Sequence, residues 1–343
     1  TTAISKVKKI HGTTLVTSVN SISVDPNNAA TFSINITNDK GNYQDTVTFS
    51  QTSTGTDAWT FTLPGQTTLD VDETKSVSFS VTPDIEALAG LKSISFIATS
   101  TQDDDPSPAV STLSITVRVN QLPALEVTKV GSSTQDIEAG KKVTYSFKVT
   151  NKGNAVDTFN ISVDNTTVPD FWEASVDTTE VSNLGVDESS NLTDVLVVKA
   201  PANASADVEA TIKVKISSVE KPSVFKTFTS RSTVLQNYDP KITLVGSDTQ
   251  SANPEVEVTY TLDIKNDGNG EDEIVLSLTG SNSTWGTLGA SSFTLDAGAN
   301  TTTTLRVTAP ENTPAQNGYK IGIRATSEDT TTSKSRDVFL NVN

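Results

Sequence analysis

The chain has 343 residues and a formal net charge of −16 at pH 7, which makes nucleic acid and anionic lipid surfaces poor partners. It contains no cysteine, so disulfides, thiolate nucleophiles and zinc–thiolate sites are excluded. No apolar run approaches the roughly 18 residues that a membrane-spanning helix needs. We therefore expect a protein with no membrane insertion and no nucleic acid partner.

The chain begins with a short basic segment. Aligning the repeats described below pairs Gly12 with Leu125, and we set this N-terminal extension at residues 1–12. Its apolar residues alternate as in a strand, which could complete the open edge of a neighbouring sandwich. Head-to-tail contact of this kind yields a filament. A frayed terminus is the alternative. The predicted assembly strand consists of Ile4, Lys6, Val7, Lys8, Lys9 and Ile10.

Strand patterns fill the rest of the chain, with no helical period. Between Thr31 and Thr37, the apolar residues Phe32, Ile34 and Ile36 alternate with polar ones, which is the period of a half-buried strand. Later stretches repeat the pattern with Val143, Tyr145, Phe147 and Val149, and with Val258, Tyr260, Leu262 and Ile264. About seven short strands per repeat, separated by turn signals, indicate an all-β fold built of β-sandwiches.

Three markers recur along the chain with nearly the same spacing. The tryptophans Trp59, Trp172 and Trp285 lie 113 residues apart. An asparagine–glycine turn recurs at 38–42, 151–154 and 266–269, and a proline ends a later strand at 83, 201 and 310. A threefold domain repeat follows, with predicted domains at residues 13–121, 122–237 and 238–343. The joints contain proline and no Gly/Ser tract, so we expect a stiff rod.

The run Asn-x-Gly-Asn-x-x-Asp occurs in full at 151–157 and 266–272, and with one inserted residue at 38–45. It resembles the tandem immunoglobulin-like modules of secreted bacterial and archaeal surface proteins, with the cell-adhesion-related domains of bacteria as the nearest type. The resemblance implies immunoglobulin-like sandwiches. A basic strand ahead of stiff sandwiches also resembles the subunits of archaeal surface threads and donor-strand pili, which implies a homopolymer.

The repeated turn has two interpretations. Glycine and asparagine both tolerate positive φ, which indicates a hairpin. Calcium is the alternative, because it takes oxygen ligands from loops, and the acids near the turns are Asp39, Asp45, Asp157, Asp267 and Asp272. No spacing here matches an EF-hand loop. A second metal candidate, which also fits a solvated hairpin tip, is the run Asp103, Asp104 and Asp105. We expect no other cofactor.

Two further sets of residues could carry function. The three tryptophans fit core positions, and an exposed row of them would instead stack on sugar rings. The seven Asn-x-Ser/Thr sequons are as many as chance gives for this composition, although their placement allows N-glycosylation. The candidate acceptors are Asn35, Asn160, Asn165, Asn191, Asn203, Asn282 and Asn300.

The single histidine, His11, lies far from any acid cluster in the sequence, so neither a Ser-His-Asp triad nor a HExxH zinc site is supported. We expect no enzyme; a metal-dependent hydrolase would need carboxylates clustered in a cleft. The start at Thr1 fits an exported protein after signal-peptide removal and fits a trimmed fragment equally.

These observations predict a structural subunit of an extracellular filament or surface array, with copies of itself as partners. The alternative is a cell-surface adhesin or a polysaccharide-binding accessory module. Either would be extracellular or bound to the cell surface.

Overall fold

The computed structural model describes residues 4–101 and 108–343. Over these residues the regular structure consists of strands and of two single-turn 3₁₀ helices, Asn165–Thr167 and Ser283–Trp285. No helix in these ranges is long and apolar enough to cross a membrane. The all-β prediction is confirmed.

The first domain consists of two sheets. Its strands, within the described residues, are β1 (Thr14–Val16), β2 (Ser21–Val24), β3 (Ala30–Thr37), β4 (Asp45–Ser53), β5 (Thr60–Thr62), β6 (Thr67–Leu69), β7 (Thr74–Thr82), β8 (Gly90–Ser100) and β9 (Val110–Val119). One sheet has the order β1-β3-β7-β5 and the other has the order β2-β9-β8-β4-β6. Strands β2 and β9 run parallel, while the other pairs are antiparallel.

The second and third domains repeat this plan. The second contains β10 (Leu125–Val130), β11 (Thr134–Ile137), β12 (Lys142–Asn151), β13 (Asp157–Val163), β14 (Glu173–Val176), β15 (Glu180–Leu184), β16 (Ser189–Lys199), β17 (Glu209–Ser218) and β18 (Phe225–Val234). The third contains β19 (Pro240–Val245), β20 (Thr249–Ala252), β21 (Val258–Asn266), β22 (Asp272–Thr279), β23 (Gly286–Leu288), β24 (Ser292–Leu295), β25 (Asn300–Val307), β26 (Gln316–Thr326) and β27 (Ser333–Val342).

The strand order is the same in all three domains. The second has sheets β10-β12-β16-β14 and β11-β18-β17-β13-β15, and the third has β19-β21-β25-β23 and β20-β27-β26-β22-β24. In each domain the first two strands join opposite sheets, and the second of them pairs parallel with the last strand. The chain is therefore three tandem immunoglobulin-like β-sandwiches, as predicted.

Each core lies between its two sheets. The predicted alternation along β3 is confirmed, because Phe32, Ile34 and Ile36 are buried and the residues between them are exposed. Phe79 on one sheet and Phe96 on the other have ring centroids 5.0 Å apart. Full burial of such a side chain contributes about 1.5–3 kcal/mol to the folding free energy, relative to leaving it exposed to water.

Two core tyrosines also join the sheets by hydrogen bonds. The hydroxyl of Tyr145 on β12 donates to the Arg231 carbonyl on β18 at 2.7 Å. The Tyr260 hydroxyl on β21 does the same with the Phe339 carbonyl on β27 at 2.7 Å. Burial raises the pKa of Tyr260 to about 12. The equivalent residue of the first domain is Phe32, which keeps the packing without this bond.

Candidate functional site at the domain joints

The first asparagine of each turn closes the loop from inside the fold. The residues at this position, all fully buried, are Asn38, Asn151 and Asn266. The Nδ2 of Asn151 donates to the carbonyls of Ala155 (2.7 Å) and Leu184 (2.8 Å), and its Oδ1 accepts from the Gly153 amide (2.8 Å). The third domain makes the same three bonds. In the first domain the turn is one residue longer, and the Asn38 Oδ1 has no partner among the described residues.

The glycines of the turns serve a different purpose from the one predicted. Gly41, Gly153 and Gly268 do not have positive φ, so the prediction of positive φ is wrong at these positions. The hairpin interpretation is also wrong, because each turn connects two strands that lie in opposite sheets of its domain. A Cβ on Gly153 would lie 2.9 Å from the Leu122 carbonyl oxygen and 3.0 Å from the Ala124 amide nitrogen. Glycine is needed because the linker backbone lies directly against the turn.

The second asparagine of the turn binds that linker. The Oδ1 of Asn154 accepts from the Leu122 amide at 2.7 Å, and the Asn154 amide donates back to the Leu122 carbonyl at 3.3 Å. At the next joint, Asn269 makes the same pair of bonds with Asn237, at 2.6 and 3.2 Å. Each asparagine therefore pairs with one linker residue through both its side chain and its backbone.

The same asparagines also reach the preceding domain. The Nδ2 of Asn154 donates to the Ala87 carbonyl of the first domain at 3.1 Å, and the Asn154 carbonyl accepts from the Ala89 amide at 2.9 Å. Asn269 repeats both bonds with Ala204 (3.1 Å) and Ala206 (2.9 Å) of the second domain.

The linker makes further hydrogen bonds with the domain that follows it. The remaining Nδ2 hydrogen of Asn154 reaches the Asn120 carbonyl at 3.0 Å, and that of Asn269 reaches the Leu235 carbonyl at 3.0 Å. A linker glutamine also binds the following domain, since Gln236 Nε2 donates to the Glu271 carbonyl at 2.6 Å. We call this arrangement of turn, linker and preceding loop the joint clamp. It is built twice with the same atoms.

The acid that ends the motif is a structural hydrogen-bond acceptor. Asp45, Asp157 and Asp272 are buried, and each accepts a hydrogen bond from a serine hydroxyl at 2.6 Å. The serines are Ser100, Ser218 and Ser327, each at the end of the neighbouring strand or just beyond it. The acid thereby fixes the strand that follows the turn.

The calcium hypothesis finds no ligand set in the described part of the chain. Asp267 lies in ion pairs with Lys241 and Lys265, both at 2.6 Å, and the hydrogen bond from Lys241, followed by that from Lys265, lowers the pKa of Asp267. Among residues 4–101 and 108–343 no three acid or histidine groups come together to hold a metal. The candidates Asp103, Asp104 and Asp105 lie outside the described residues.

Part of the N-terminal segment occupies the position of a linker. The Ile10 amide donates to the Asn42 Oδ1 at 2.8 Å, and the Asn42 Nδ2 donates to the Lys8 carbonyl at 3.1 Å. Lys9 Nζ lies 4.0 Å from the centre of the Tyr43 ring. Residues 4–13 form no strand in this structure. Lys6 is exposed, and so are Ile4 (91%) and Val7 (78%).

This placement corrects the sequence alignment by one residue. Thr14 pairs with Thr37 as Glu126 pairs with Thr150. The counterpart of Leu125 is therefore Thr13 and not Gly12. Residues 8–12 correspond to the linkers at 120–124 and 235–239.

His11 is also not where its sequence context suggested. Its Nδ1 lies 3.4 Å from the Asp45 Oδ1, and both side chains are buried. Folding brings the linker segment that holds His11 against one acid of the turn, a contact that the distance between the two residues in the sequence does not indicate. Neither ring nitrogen has a hydrogen-bond partner among the described residues.

The tryptophans and sequons are placed as follows. Trp59 and Trp172 are buried, and Trp285 packs on Tyr319 with ring centroids 4.9 Å apart. The core role is confirmed, and they form no exposed row.

Of the sequon asparagines, Asn282 is half-buried with its Nδ2 bonded to the Lys320 carbonyl. The others are exposed, namely Asn35, Asn160, Asn165, Asn191, Asn203 and Asn300. Glycosylation at these positions stays a prediction.

Comparison with protein families gives one match. The family described as the NPCBM-associated, NEW3 domain of alpha-galactosidase matches residues 137–217, within the second domain. No curated protein matches the chain.

Solved structures with tandem sandwich domains are also similar. Four extracellular domains of protocadherin gamma B7 match at 16% identity and a TM-score of 0.46, covering 97% of this chain and 76% of that chain. Mouse cadherin-23 domains EC22–24 match at 12% and 0.44, covering 97% and 99%. Titin domains I67–I69 match at 13% and 0.38, covering 98% and 99%. All three TM-scores lie below 0.5, so the fold assignment rests on the strand order.

Proposed function

We propose that this chain is a stiff spacer of the cell exterior, an adhesion-type array whose joints hold successive domains at a fixed angle and distance. The observation that carries the proposal is the joint clamp. At both joints a single asparagine binds the linker and the loop of the preceding domain through equivalent atoms. Two flexible joints would need none of these bonds.

The composition supports an extended array that stays in solution. A high acidic charge keeps a long array soluble and discourages collapse onto other acidic surfaces. The absence of cysteine means that rigidity depends on non-covalent contacts rather than on disulfides. The role assigned here is spacing and presentation, and it requires no catalytic step.

A filament subunit is a more specific form of the same proposal. Exposed Ile4 and Val7 favour donation of the N-terminal segment as a strand to a neighbouring copy. The bonds from Asn42 to Lys8 and Ile10 limit the free part of such a strand to residues before Lys8. Deleting residues 1–7 leaves the clamp contacts in place and isolates this mode of assembly.

The family match of the second domain favours a second candidate, an accessory module that binds polysaccharide. The family name refers to an alpha-galactosidase, an enzyme of carbohydrate chemistry. Cosedimentation with insoluble polysaccharides tests it. Retention of the chain by one polysaccharide, reversed by its soluble fragments, would favour this candidate over the spacer.

The spacer role is tested by measuring how far the N-terminus stands above a membrane to which the C-terminus is attached. The chain is attached through its C-terminus to a supported bilayer, with a fluorophore at the N-terminus and an acceptor dye in the membrane. We expect the wild type to hold the fluorophore at one height, and the double variant Asn154→Ala, Asn269→Ala to give a lower and broader distribution. Equal distributions for both proteins would contradict the spacer. Asn42→Ala is the matched control, since Asn42 has no preceding domain within this chain.

A further inference from the structure

The loop before Trp172 is longer than its counterparts in the other two domains. Trp172 is the ninth residue after the end of β13, whereas Trp59 and Trp285 are the sixth residues after the ends of β4 and β22. The second domain therefore has three additional residues at this place. The loop ends in a tight turn of residues 169–172, which the Trp172 amide closes by donating to the Pro169 carbonyl at 3.1 Å.

Phe171 occupies the position of this turn that favours glycine. Its φ is +66°, in the left-handed region where the Cβ of an ordinary residue is crowded by the backbone. A positive φ at the third residue of a turn, with none at the second, is typical of a type II turn, in which glycine or asparagine normally takes that position. A phenylalanine there lowers the stability of the fold, and the surrounding structure must offset this cost.

Packing does not explain this phenylalanine. Phe171 is 89% exposed, whereas Trp172 beside it is buried in the core. The second joint does not use it either, because within the described part of the chain residues 164–172 make no hydrogen bond to the third domain. The residues before the other two tryptophans, Ala58 and Thr284, do not have positive φ. Only the second domain therefore uses a strained turn here, and that turn places an aromatic ring in solvent.

The loop that carries the ring is fixed at several points. The Asp164 amide donates to the Lys213 carbonyl of β17 at 2.8 Å, and the Lys213 amide donates back to the Thr167 hydroxyl at 3.0 Å. The Asp164 carboxylate caps the short 3₁₀ helix by accepting from the Thr166 amide at 3.1 Å. Because Trp172 anchors the other end in the core, a ligand that binds the ring orders little of the loop and loses little affinity to that ordering.

The chemistry of the loop favours a neutral, hydroxyl-rich ligand. Residues 164–172 contain two acids and neither lysine nor arginine, which disfavours phosphates and anionic lipid surfaces. Asp170, beside the ring, and Asn165 are exposed, and carboxylate and amide groups form hydrogen bonds with hydroxyl groups. The flat apolar face of an aromatic ring packs on the C–H face of a sugar ring.

We propose that Phe171 is the centre of a carbohydrate-binding site, at which a sugar ring of a neutral polysaccharide stacks on the phenylalanine ring and bonds to Asp170 through its hydroxyls. The inference rests on the polysaccharide-binding candidate for this chain, and the loop lies within the residues that support that candidate. The spacer role does not depend on this site. The array then presents one sugar site, in its middle domain.

Cosedimentation with cellulose and chitin, and affinity electrophoresis in a galactomannan gel, test the site with the full chain. We expect at least one of these polysaccharides to retain the wild type. Phe171→Ala should weaken the retention by about tenfold or more because the stacking surface is lost, and Phe171→Tyr, which keeps the ring, should preserve it. Phe225→Ala is the matched control, since Phe225 is an exposed aromatic residue of the same domain without positive φ, and it should bind as the wild type does.

Thermal unfolding tests whether the strain is kept for binding. Glycine relieves the strain at position 171, whereas alanine does not. Phe171→Gly should therefore melt no lower than the wild type and above Phe171→Ala, while both variants lose retention to the same extent. A Phe171→Gly protein that melts well below the wild type would show that the ring supports the fold, and it would overturn the proposal.

The binding results separate this proposal from the functions on which it builds. A wild type that none of the three polysaccharides retains overturns the sugar site and the polysaccharide-binding candidate together, and it leaves the spacer unaffected. Retention that Phe171→Ala leaves unchanged overturns the site alone. Binding to phosphatidylcholine vesicles that requires Phe171, without retention by any polysaccharide, would assign the ring to a membrane surface and also overturn the proposal.

Discussion

Replacing Asn154 by alanine should loosen the joint between the first two domains while leaving both domains folded. The substitution removes three side-chain hydrogen bonds. Oδ1 no longer accepts from the Leu122 amide (2.7 Å), and Nδ2 no longer donates to the carbonyls of Ala87 (3.1 Å) and Asn120 (3.0 Å). A hydrogen bond contributes about 0.5–1.5 kcal/mol net. Because Asn154 is half-buried and water can replace part of these bonds, we take the low end, about 1.5 kcal/mol in total. The ratio of docked to undocked joints should then fall about tenfold.

Double electron–electron resonance, which measures the distance between two spin labels, reports this change directly. The absence of cysteine allows labels at Ser50→Cys and Ser162→Cys, which are exposed strand positions in the two domains. We expect a narrow distance distribution for the otherwise unchanged protein and a broad one with Asn154→Ala. Asn42→Ala removes the same chemistry at the end of the array and should leave the distribution narrow. A narrow, unshifted distribution with Asn154→Ala would refute the reasoning.

Three further predictions concern the turns and the core. Gly153→Ala should displace the linker and broaden the distance distribution between the two spin labels, because its Cβ would lie 2.9 Å from the Leu122 oxygen. Gly65→Ala is the control and should change nothing, because the space around Gly65 is open. If both variants give the same distribution, the contact between linker and turn does not require glycine at 153. Asp157→Ala should lower the free energy of unfolding, measured with urea, by about 1–3 kcal/mol, because the buried Ser218 hydroxyl and the Thr158 amide lose their acceptor. A loss below about 0.5 kcal/mol would argue against a structural role for this acid. Tyr260→Phe should lower stability by about 1 kcal/mol at pH 7 and remove an alkaline transition. The folded-state pKa of Tyr260 is raised to about 12 from about 10, so its stabilising contribution is full below pH 10 and is lost as pH rises through 12; an unchanged alkaline profile in the variant would contradict this.

Strand content and domain count follow from local sequence patterns, so both can be predicted from the sequence. The alternation of Phe32, Ile34 and Ile36 corresponds to one buried face of β3, and the repeated tryptophans correspond to repeated core positions. Both signals depend on residues near each other in the chain.

The joint clamp could be located from the sequence but not understood. The repeated asparagine turn was visible, yet its partners at the joints are backbone groups of linker and loop residues such as Ala87 and Leu122, which leave no side-chain signature. The reason for Gly153 depends on a linker some thirty residues earlier in the chain. A recurring alanine a few residues after Pro83 and Pro201 was the one available signal.

The contact of His11 with Asp45 had no signal at all. The two residues belong to segments without shared periodicity, and they come to 3.4 Å because the segment before β1 lies against the turn between β3 and β4. The alignment that pairs Gly12 with Leu125 is wrong by one residue, and it hides the correspondence between residues 8–12 and the linkers.

The central claim is that the asparagine turns hold three domains as one stiff array. Small-angle X-ray scattering of the dilute wild type beside the double variant Asn154→Ala, Asn269→Ala tests it most directly. We expect wild-type data that a single arrangement of the three domains fits, and variant data that require an ensemble with a smaller mean radius of gyration. Wild-type data that already require a broad ensemble, or identical curves for the two proteins, would contradict the account.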